Sequence, residues 1–509
     1  MRVTHLAVAA FLALPLAATA ADAGPGPEPL PISLTSVLPA VASATPTSAR
    51  FRLNEATTIA AGAGALPVAD LLAAAWRPAT GFPLPISTTT DTNTIRIGLG
   101  EPVDSEAYRL EITEEVIDLR ASTTAGLVNG VQTLRQLLPP EIESSTVQNR
   151  QWTVPGGLIE DRPRFAYRGA MLDLARHFHT PDEVKRYIDQ ISRFKINHLH
   201  LHLSDDQGWR IRIDGWPRLT EVGGAEGTGV RGIGGGYLTE ADYRDITAFA
   251  AERNVTIVPE IDMPGHVNAA QVAYPELTCD GVAPRPRIDI RVGYSSLCAG
   301  KEVTYRFAED VIRELAAMTP GPYLHIGGDE AHSTPHADYL TFQKRVLPLV
   351  RKYGKIPIGW QEIAAAGEPG TVVQYWNREV DLPEHAGRFI LSPADKTYLD
   401  MQYDLLTPGG LHWAGTTEVD DAYSWDPGRL LPHVPEERVL GVEAPLWSET
   451  LRDLGDIEFL AFPRLVAIAE LGWSPRSDWD SFRRRLGTYG PRWTRQGVRY
   501  YSSPRIPWS

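Results

Sequence analysis

The feature that most constrains the fold is a series of short apolar segments, each of which leads into polar or aromatic residues. Eight such segments begin at residues 169, 198, 255, 323, 356, 371, 388 and 438, and a helix-forming stretch separates most neighbours. Short apolar runs with polar boundaries are typical of parallel strands that are buried on both faces. The series therefore predicts an α/β fold, a (β/α)8 TIM barrel, with functional groups at the C-terminal ends of the strands.

An open, doubly wound sheet is the alternative arrangement. It is disfavoured because no glycine fingerprint for phosphate binding follows the first strand at residues 169–174. Capping patterns support the alternation of strands and helices. Thr180 with Glu183 has the spacing of a capping box at the start of a helix, and Thr239–Asp242 is predicted to cap another helix.

Three further segments are expected before the barrel. Residues 1–20 have the pattern of a secretory signal peptide, with a basic start and an apolar run too short to cross a membrane. Residues 21–48 are rich in Pro, Ala, Ser and Thr and are predicted to form a flexible leader. Residues 49–155 combine alternating strand patterns with one helical pattern, which indicates a small α+β domain. Residues 156–509 are then the catalytic barrel.

The charge balance and the cysteines limit the partners and the compartment. A net charge of −14 argues against nucleic acid and anionic membrane surfaces as partners. The export signal implies a secreted, extracellular protein, in which Cys279 and Cys298 are predicted to form a disulfide. Two unpaired buried thiols are the alternative.

The stretch Tyr323–Glu330 carries the strongest chemical signal. An apolar run ends there in two glycines and two adjacent carboxylates, Asp329 and Glu330. A strand in this position delivers both carboxylates to the end of the barrel that holds active sites. Neighbouring side chains diverge along a strand, so we expect one to donate a proton and the other to position the substrate. A solvated loop after a strand is the alternative interpretation.

Acidic residues and tryptophans occur together at the other predicted strand ends. This mixture suits a neutral sugar, because aromatic rings cover its apolar face and carboxylates accept hydrogen bonds from its hydroxyl groups. For any single Trp, packing in the core is the alternative. We also expect His266 to lie between two carboxylates, one of them Asp205, and to influence the ionisation of a general acid.

Three histidines alternate in His198–His202, so their side chains share one face of a strand. Imidazole is a common metal ligand, and a metal-dependent barrel hydrolase that uses His200 and His202 is the second hypothesis. The three rings would be stacked at different depths, where at most the upper two could share an ion. We therefore expect a structural role, with no metal and no cofactor.

The residues resemble the family-20 glycoside hydrolases, the β-N-acetylhexosaminidases, over about residues 50–500, and most resemble secreted actinobacterial enzymes. Several motifs in the same order are more specific than one motif alone. The motifs are His325–Glu330, Leu172–Phe178, His200–Gln207, Glu260–His266 and Trp447–Glu449.

The resemblance implies an exo-acting, retaining enzyme that removes terminal β-linked GlcNAc or GalNAc from chitin oligosaccharides or glycans. It implies that Glu330 is the general acid and base, that Asp329 orients the 2-acetamido group, and that Tyr398 donates to its carbonyl. It also implies that the acetamido carbonyl of the substrate is the nucleophile. The remaining implied roles are an aromatic box of Trp360, Trp376 and Trp447, hydroxyl binding by Arg176, Asp400 and Glu449, cover of the leaving-group side by Trp413, and support of Glu330 by Asp205, His266 and Asp262.

A third hypothesis is a non-catalytic chitin-binding protein on the same fold, which a chromogenic N-acetylglucosaminide assay would distinguish from an enzyme. An endo-acting family-18 chitinase is disfavoured because the sequence has no Asp-x-x-Asp-x-Asp-x-Glu run. The choice between chitin oligomers, glycans and peptidoglycan fragments stays open. The gluco or galacto preference and the oligomeric state also stay open.

Overall fold

The computed structural model describes residues 32–89, 92–100, 104–378, 382 and 387–508. The predicted signal peptide and the first part of the predicted leader lie outside these residues. The described chain forms a mixed sheet followed by a closed barrel.

The N-terminal domain is a seven-stranded sheet in the spatial order first, seventh, fifth, sixth, fourth, second, third. Its strands are Ser43–Leu53, Thr58–Ala61, Ile86–Ser87, Thr94–Leu99, Tyr108–Ile112, Val116–Ala121 and Trp152–Asp161. Helices Leu66–Thr80 and Thr124–Gln136 share one apolar core with the sheet. The α+β character of this domain is confirmed.

The prediction of a flexible leader was wrong for residues 32–48. Leu34 and Val37 are buried in the core of the sheet domain, and Leu38 is buried in the core of the barrel. Ser43–Leu53 pairs antiparallel with Trp152–Asp161, so the sheet extends beyond the predicted limits of 49–155 at both ends. A composition rich in Pro, Ala, Ser and Thr indicated a flexible segment. Its few apolar residues nevertheless fix it to the protein, because they are buried in the two cores.

The barrel has eight parallel strands, and the pairing of the last strand with the first closes it. All eight predicted strands are confirmed. In chain order the barrel strands are Tyr167–Asp173, His198–His202, Thr256–Glu260, Tyr323–His325, Ile356–Trp360, Val372–Tyr375, Arg388–Leu391 and Val439–Ala444.

Helices cover the barrel. The predicted capping box at Thr180 is present, and the predicted cap at Thr239 is also a capping box, with Asp242. The α-helices from the first barrel strand onward are Pro181–Ser192, Arg218–Gly223, Glu240–Ala251, Asn268–Ala273, Glu302–Met318, His336–Lys352, Ala394–Thr397, Val419–Tyr423, Leu454–Ala461, Arg464–Trp473 and Trp479–Gln496.

Buried polar contacts fix the sheet domain to the barrel. Lys195, just before the second barrel strand, places its Nζ 2.9 Å from Asp161 Oδ2 at the end of the last sheet strand. The indole of Trp473 donates to the same carboxylate at 3.1 Å. Because both partners of the Lys195–Asp161 pair are fully buried, breaking it would leave an uncompensated charge in the interior.

The predicted disulfide between Cys279 and Cys298 is present and closes the loop that follows the third barrel strand. Among the described residues, no helix has the length and apolar character that crossing a membrane requires.

Candidate active site

The fourth barrel strand is followed by a turn of two glycines and then by Asp329 and Glu330, which we call the acid pair. Gly327 and Gly328 have φ angles of 67° and 98°, in the left-handed region that favours glycine. The backbone N–H of Gly328 donates to Asp262 Oδ1 at 2.9 Å. A Cβ on Gly327 would lie 1.8 Å from the same oxygen, so only glycine lets the chain approach Asp262 this closely.

The two carboxylates that follow differ in exposure, although both approach His266 Nε2, at 3.9 Å for Asp329 Oδ2 and 3.5 Å for Glu330 Oε2. The side chain of Asp329 is 10% exposed, whereas that of Glu330 is 27% exposed. Glu330 itself has a φ of 45°, which is uncommon for a residue with a Cβ. Backbone strain of this kind is found at functional sites, where the surrounding structure holds it in place.

Asp329 lies beside Asp262, with carboxylate oxygens of the two residues within 4.8 Å of each other and of a ring nitrogen of His266. Burial is the main cause that raises the pKa of Asp262 to about 8, and burial together with Asp262 raises the pKa of Asp329 well above its usual range. Two buried carboxylates this close together disfavour each other's ionisation.

His266 lies between Asp205 and Glu330, in the place that the sequence predicts. Its Nδ1 is 3.2 Å from Asp205 Oδ1, and its Nε2 is 3.5 Å from Glu330 Oε2. Burial alone would lower the pKa of His266, but Asp205, Asp262 and Asp329 outweigh it and raise the pKa well above the ordinary value. The raised pKa favours the protonated ring, whose Nε2 faces the carboxylates of Asp329 and Glu330.

Arg176 follows the first barrel strand and neutralises Asp205. Its Nη2 is 2.9 Å from Asp205 Oδ2, and its guanidinium carbon lies 4.8 Å from the centre of the Trp447 ring. Burial alone would raise the pKa of Asp205, but Arg176 and His266 outweigh it and lower the pKa well below its usual range. Asp205 is thus ionised beside the acid pair.

Four aromatic side chains from different strand ends form one cluster: Trp360, Trp376, Tyr398 and Trp447. Trp360 and Trp447 have ring centres 5.7 Å apart, and Trp376 and Tyr398 stack with ring planes 19° apart. Trp413 lies edge-on to Tyr398 at 5.8 Å and is 57% exposed. The four rings are buried, and the exposed Trp413 lies at the edge of the cluster.

Several buried polar atoms near this aromatic cluster have no protein partner. Among the described residues, Asp400 Oδ2, Glu449 Oε2, Arg176 Nε and Asp329 Oδ1 have no hydrogen-bond partner. Burial is the main cause that raises the pKa of both Asp400 and Glu449. Since an unpaired buried polar group costs about 1–3 kcal/mol, these atoms are suited to a ligand rich in hydroxyl and amide groups.

The chain matches two family models. Residues 165–476 match the catalytic domain of glycosyl hydrolase family 20, and residues 34–162 match domain 2 of the same family. The chain belongs to glycosyl hydrolase family 20. The second match begins at residue 34, in agreement with the sheet rather than with the predicted leader.

Named relatives of the chain are β-N-acetylhexosaminidases. The β-N-acetylhexosaminidase of Cellulomonas fimi is 44% identical over 425 residues, which cover 81% of this chain and 84% of the relative. The family-20 β-N-acetylhexosaminidase structure from Streptomyces coelicolor A3(2) is 51% identical, with a TM-score of 0.91 and coverage of 94% and 99% of the two chains. A mutant β-hexosaminidase of Streptomyces plicatus in complex with its product GlcNAc is 51% identical, with a TM-score of 0.90 and coverage of 94% and 98%.

The histidine strand of this family-20 barrel lies inside the carboxylate network. His200 is 2.9 Å from Glu443 Oε1 and 3.0 Å from Glu260 Oε2, and His202 contacts Glu260 and Asp205. Burial alone would lower both histidine pKa values, but the carboxylates raise the pKa of His200 to about 9 and that of His202 to about 10. Metal ligation needs a neutral imidazole, so this arrangement favours the structural role.

Two acidic residues in the site received no role from the sequence. Glu362 Oε2 accepts from the indole of Trp376 at 3.2 Å, and burial raises its pKa to about 8. Glu260 Oε1 accepts from the indole of Trp360 at 2.9 Å. Their position near strand ends was visible in the sequence, but their indole partners come from other segments and were not.

Proposed function

We infer that this glycoside hydrolase is an exo-acting β-N-acetylhexosaminidase that removes terminal β-linked GlcNAc or GalNAc. The observation that carries the proposal is an Asp-Glu pair beside an aromatic pocket that retains unpaired polar atoms. The relatives' names and the GlcNAc bound to the Streptomyces plicatus protein support it. We propose that the unpaired atoms of Arg176, Asp400 and Glu449 bind the hydroxyl groups of the chain-end sugar.

Glu330 acts first as the general acid. It is the more exposed of the two adjacent carboxylates, and it protonates the leaving oxygen as the glycosidic bond breaks. The protonated ring of His266 stabilises the carboxylate that Glu330 then becomes. Glu330 next removes a proton from the water that attacks the intermediate.

The nucleophile belongs to the substrate. Family-20 enzymes are known exceptions to the scheme in which the protein supplies two catalytic carboxylates about 5–5.5 Å apart across the bond. Asp329 accepts the acetamido N–H and Tyr398 donates its hydroxyl to the acetamido carbonyl. The carbonyl oxygen attacks the anomeric carbon to form an oxazolinium ion, which water opens to give a product with retained configuration.

The aromatic walls hold the reacting conformation. Trp360, Trp376 and Trp447 enclose the acetamido methyl and the sugar ring, so the carbonyl oxygen stays beneath the anomeric carbon. Positioning of this kind is worth several kcal/mol, up to roughly 7–11 kcal/mol in the best-oriented reactions. Trp413 at the rim covers the sugar that leaves.

We propose that the natural substrates are N-acetylhexosamine-terminated oligosaccharides, such as chitin oligosaccharides or glycans, outside the cell. The signal pattern in residues 1–20 and the Cys279–Cys298 disulfide support secretion. The net charge of −14 disfavours nucleic acid and anionic membranes as partners.

The test is a panel of aryl N-acetyl-β-glucosaminides and galactosaminides, with chitin oligomers and the matched aryl β-glucosides. We expect rapid hydrolysis of the N-acetylated sugars, release of single sugars from chain ends, and very slow hydrolysis of the plain 2-hydroxyl glucosides. NMR of the first product should show the β anomer. Inversion, or a covalent sugar on a carboxylate that is competent to turn over, would contradict this mechanism.

A further inference from the structure

Glu260 contacts both halves of the site from inside the barrel. It ends the third barrel strand and is fully buried. Its Oε1 accepts from the indole of Trp360 at 2.9 Å, and His325 Nδ1 lies 3.0 Å from the same oxygen. Its Oε2 is 3.0 Å from His200 Nε2 and also contacts His202 Nδ1. One carboxylate therefore holds a wall of the aromatic pocket and two histidines of the second barrel strand.

A continuous series of contacts leads from Glu260 to the general acid. His202 bridges Glu260 and Asp205, with its Nε2 2.8 Å from Asp205 Oδ2. Asp205 Oδ1 is 3.2 Å from His266 Nδ1, and His266 Nε2 is 3.5 Å from Glu330 Oε2. Acidic and imidazole side chains alternate along the whole path.

The alternation fixes the protonation of His202. Ionised carboxylates only accept hydrogen bonds, so an imidazole bonded to carboxylates at both nitrogens must carry two N–H groups. His202 is in this position, and its pKa of about 10 keeps it charged at neutral pH. Loss of the charge of Glu260 removes the largest contribution that favours the protonated form of His202, and a neutral ring keeps only one N–H. Asp205 would then be less firmly held, and with it the orientation of His266.

We propose that Glu260 is a positioning residue for the general acid, acting on Glu330 through His202, Asp205 and His266. The proposal rests on the proposed function, because it takes Glu330 as the proton donor to the leaving group. It gives the alternating histidines of the second barrel strand a role that the active site alone does not explain. Through the hydrogen bond that it accepts from Trp360, the same carboxylate also fixes one wall of the substrate site relative to the general acid.

The test is the dependence of kcat/KM on the leaving group in Glu260→Gln. This change removes the charge and keeps the size of the side chain. A series of N-acetyl-β-glucosaminides with leaving groups from acidic phenols to alkyl alcohols separates protonation from other steps. We expect a loss at least about tenfold larger for the alkyl alcohols than for the most acidic phenol, because only poor leaving groups need the proton.

His202→Gln is the second variant, since it breaks the path but leaves the carboxylate of Glu260 with His200 and Trp360. It should show the same selective loss, and it keeps the test decisive if Glu260→Gln does not fold. His198→Gln is the matched control. His198 lies on the same strand face but contacts Asn197 and stacks on Tyr167, away from the path to Glu330. The slope of log(kcat/KM) against the acidity of the leaving group should be the same in His198→Gln as in the wild type.

Equal losses on all leaving groups in Glu260→Gln and His202→Gln would overturn the proposal and leave Glu260 with a structural role. A steeper slope in His198→Gln would also overturn it. These results differ from a failure of the proposed function, in which the wild-type enzyme itself would not hydrolyse the N-acetylglucosaminides.

Discussion

Two groups of buried carboxylates in this barrel differ in their partners. Inside the barrel, Glu260 and Glu443 bond to protonated histidines. Burial alone would raise the pKa of each carboxyl group, but the histidines outweigh it and hold both pKa values below their usual range. At the mouth of the barrel, where the C-terminal ends of the strands lie, burial outweighs the neighbouring groups that lower the pKa. It raises the pKa of Asp262, Asp329 and Asp400. Paired carboxylates hold fixed charges and a fixed geometry. The carboxylates at the mouth, Asp262, Asp329 and Asp400, each have one oxygen without a hydrogen-bond partner, and such open positions are what a sugar substrate requires.

The largest expected effect tests the mouth. Glu330→Gln should lower turnover of an alkyl N-acetyl-β-glucosaminide by about 10²–10⁴-fold, because the proton for the leaving oxygen is lost. The loss should be smaller on an aryl glycoside with a very acidic phenol. Steady-state kinetics on the two substrates measure it. Near-normal turnover of the alkyl glycoside would show that another group donates the proton.

The second largest expected effect tests the histidine–carboxylate contacts inside the barrel. His200→Gln should lower the free energy of unfolding by about 3–5 kcal/mol, since it leaves the buried carboxylate of Glu443 without its cation. The pKa of His200 is raised from 6.5 to about 9 in the folded protein, so folding favours the protonated ring. The stabilisation is fully present below about pH 6.5 and is lost as the pH rises through about 9.

Denaturant unfolding of wild type and His200→Gln at pH 6 and pH 10 measures this difference. The gap between the two proteins should be larger at pH 6. A gap that grows toward pH 10 would mean that the ring is neutral in the folded protein, and the contrast between interior and mouth would then fail.

A third prediction compares the two carboxylates of the acid pair. Asp329→Asn should lower kcat by about 10²–10³-fold with a smaller change in KM, because the contact to the acetamido N–H matters most as charge develops on nitrogen. Tyr398→Phe should act in the same direction. Unlike Glu330→Gln, both losses should persist with acidic phenols. An increase in KM at unchanged kcat would mean that these residues bind the substrate equally well before and during the reaction, and do not act on the transition state.

The smallest expected effect is none at all. Exhaustive dialysis against a chelator should leave activity unchanged, because His200 and His202 are protonated and ion-paired rather than free to bind a metal. Addition of zinc to the dialysed enzyme is the control. Activity that falls with the chelator and returns with zinc would favour the metal-dependent hydrolase.

The strands of the barrel and the acid pair could be predicted from the sequence because their signals are local. An apolar run with polar ends, such as Tyr323–Glu330, already specifies a buried strand and the end at which its polar residues lie. The position of His266 beside Asp205 also followed, once both were assigned to neighbouring strand ends. The leader failed for the opposite reason, because Ser43–Leu53 is a strand only through its pairing with Trp152–Asp161.

The sequence by itself therefore determined the order of the strands, the face that the histidines share and the carboxylates that reach the mouth. Only the tertiary structure decided which carboxylates are paired. Glu260 and Asp262 are two residues apart, yet one has its pKa lowered by histidines and the other has its pKa raised by burial. The physical reason is that burial and partner charges are set by strands and loops from distant parts of the chain, which converge only when the barrel closes.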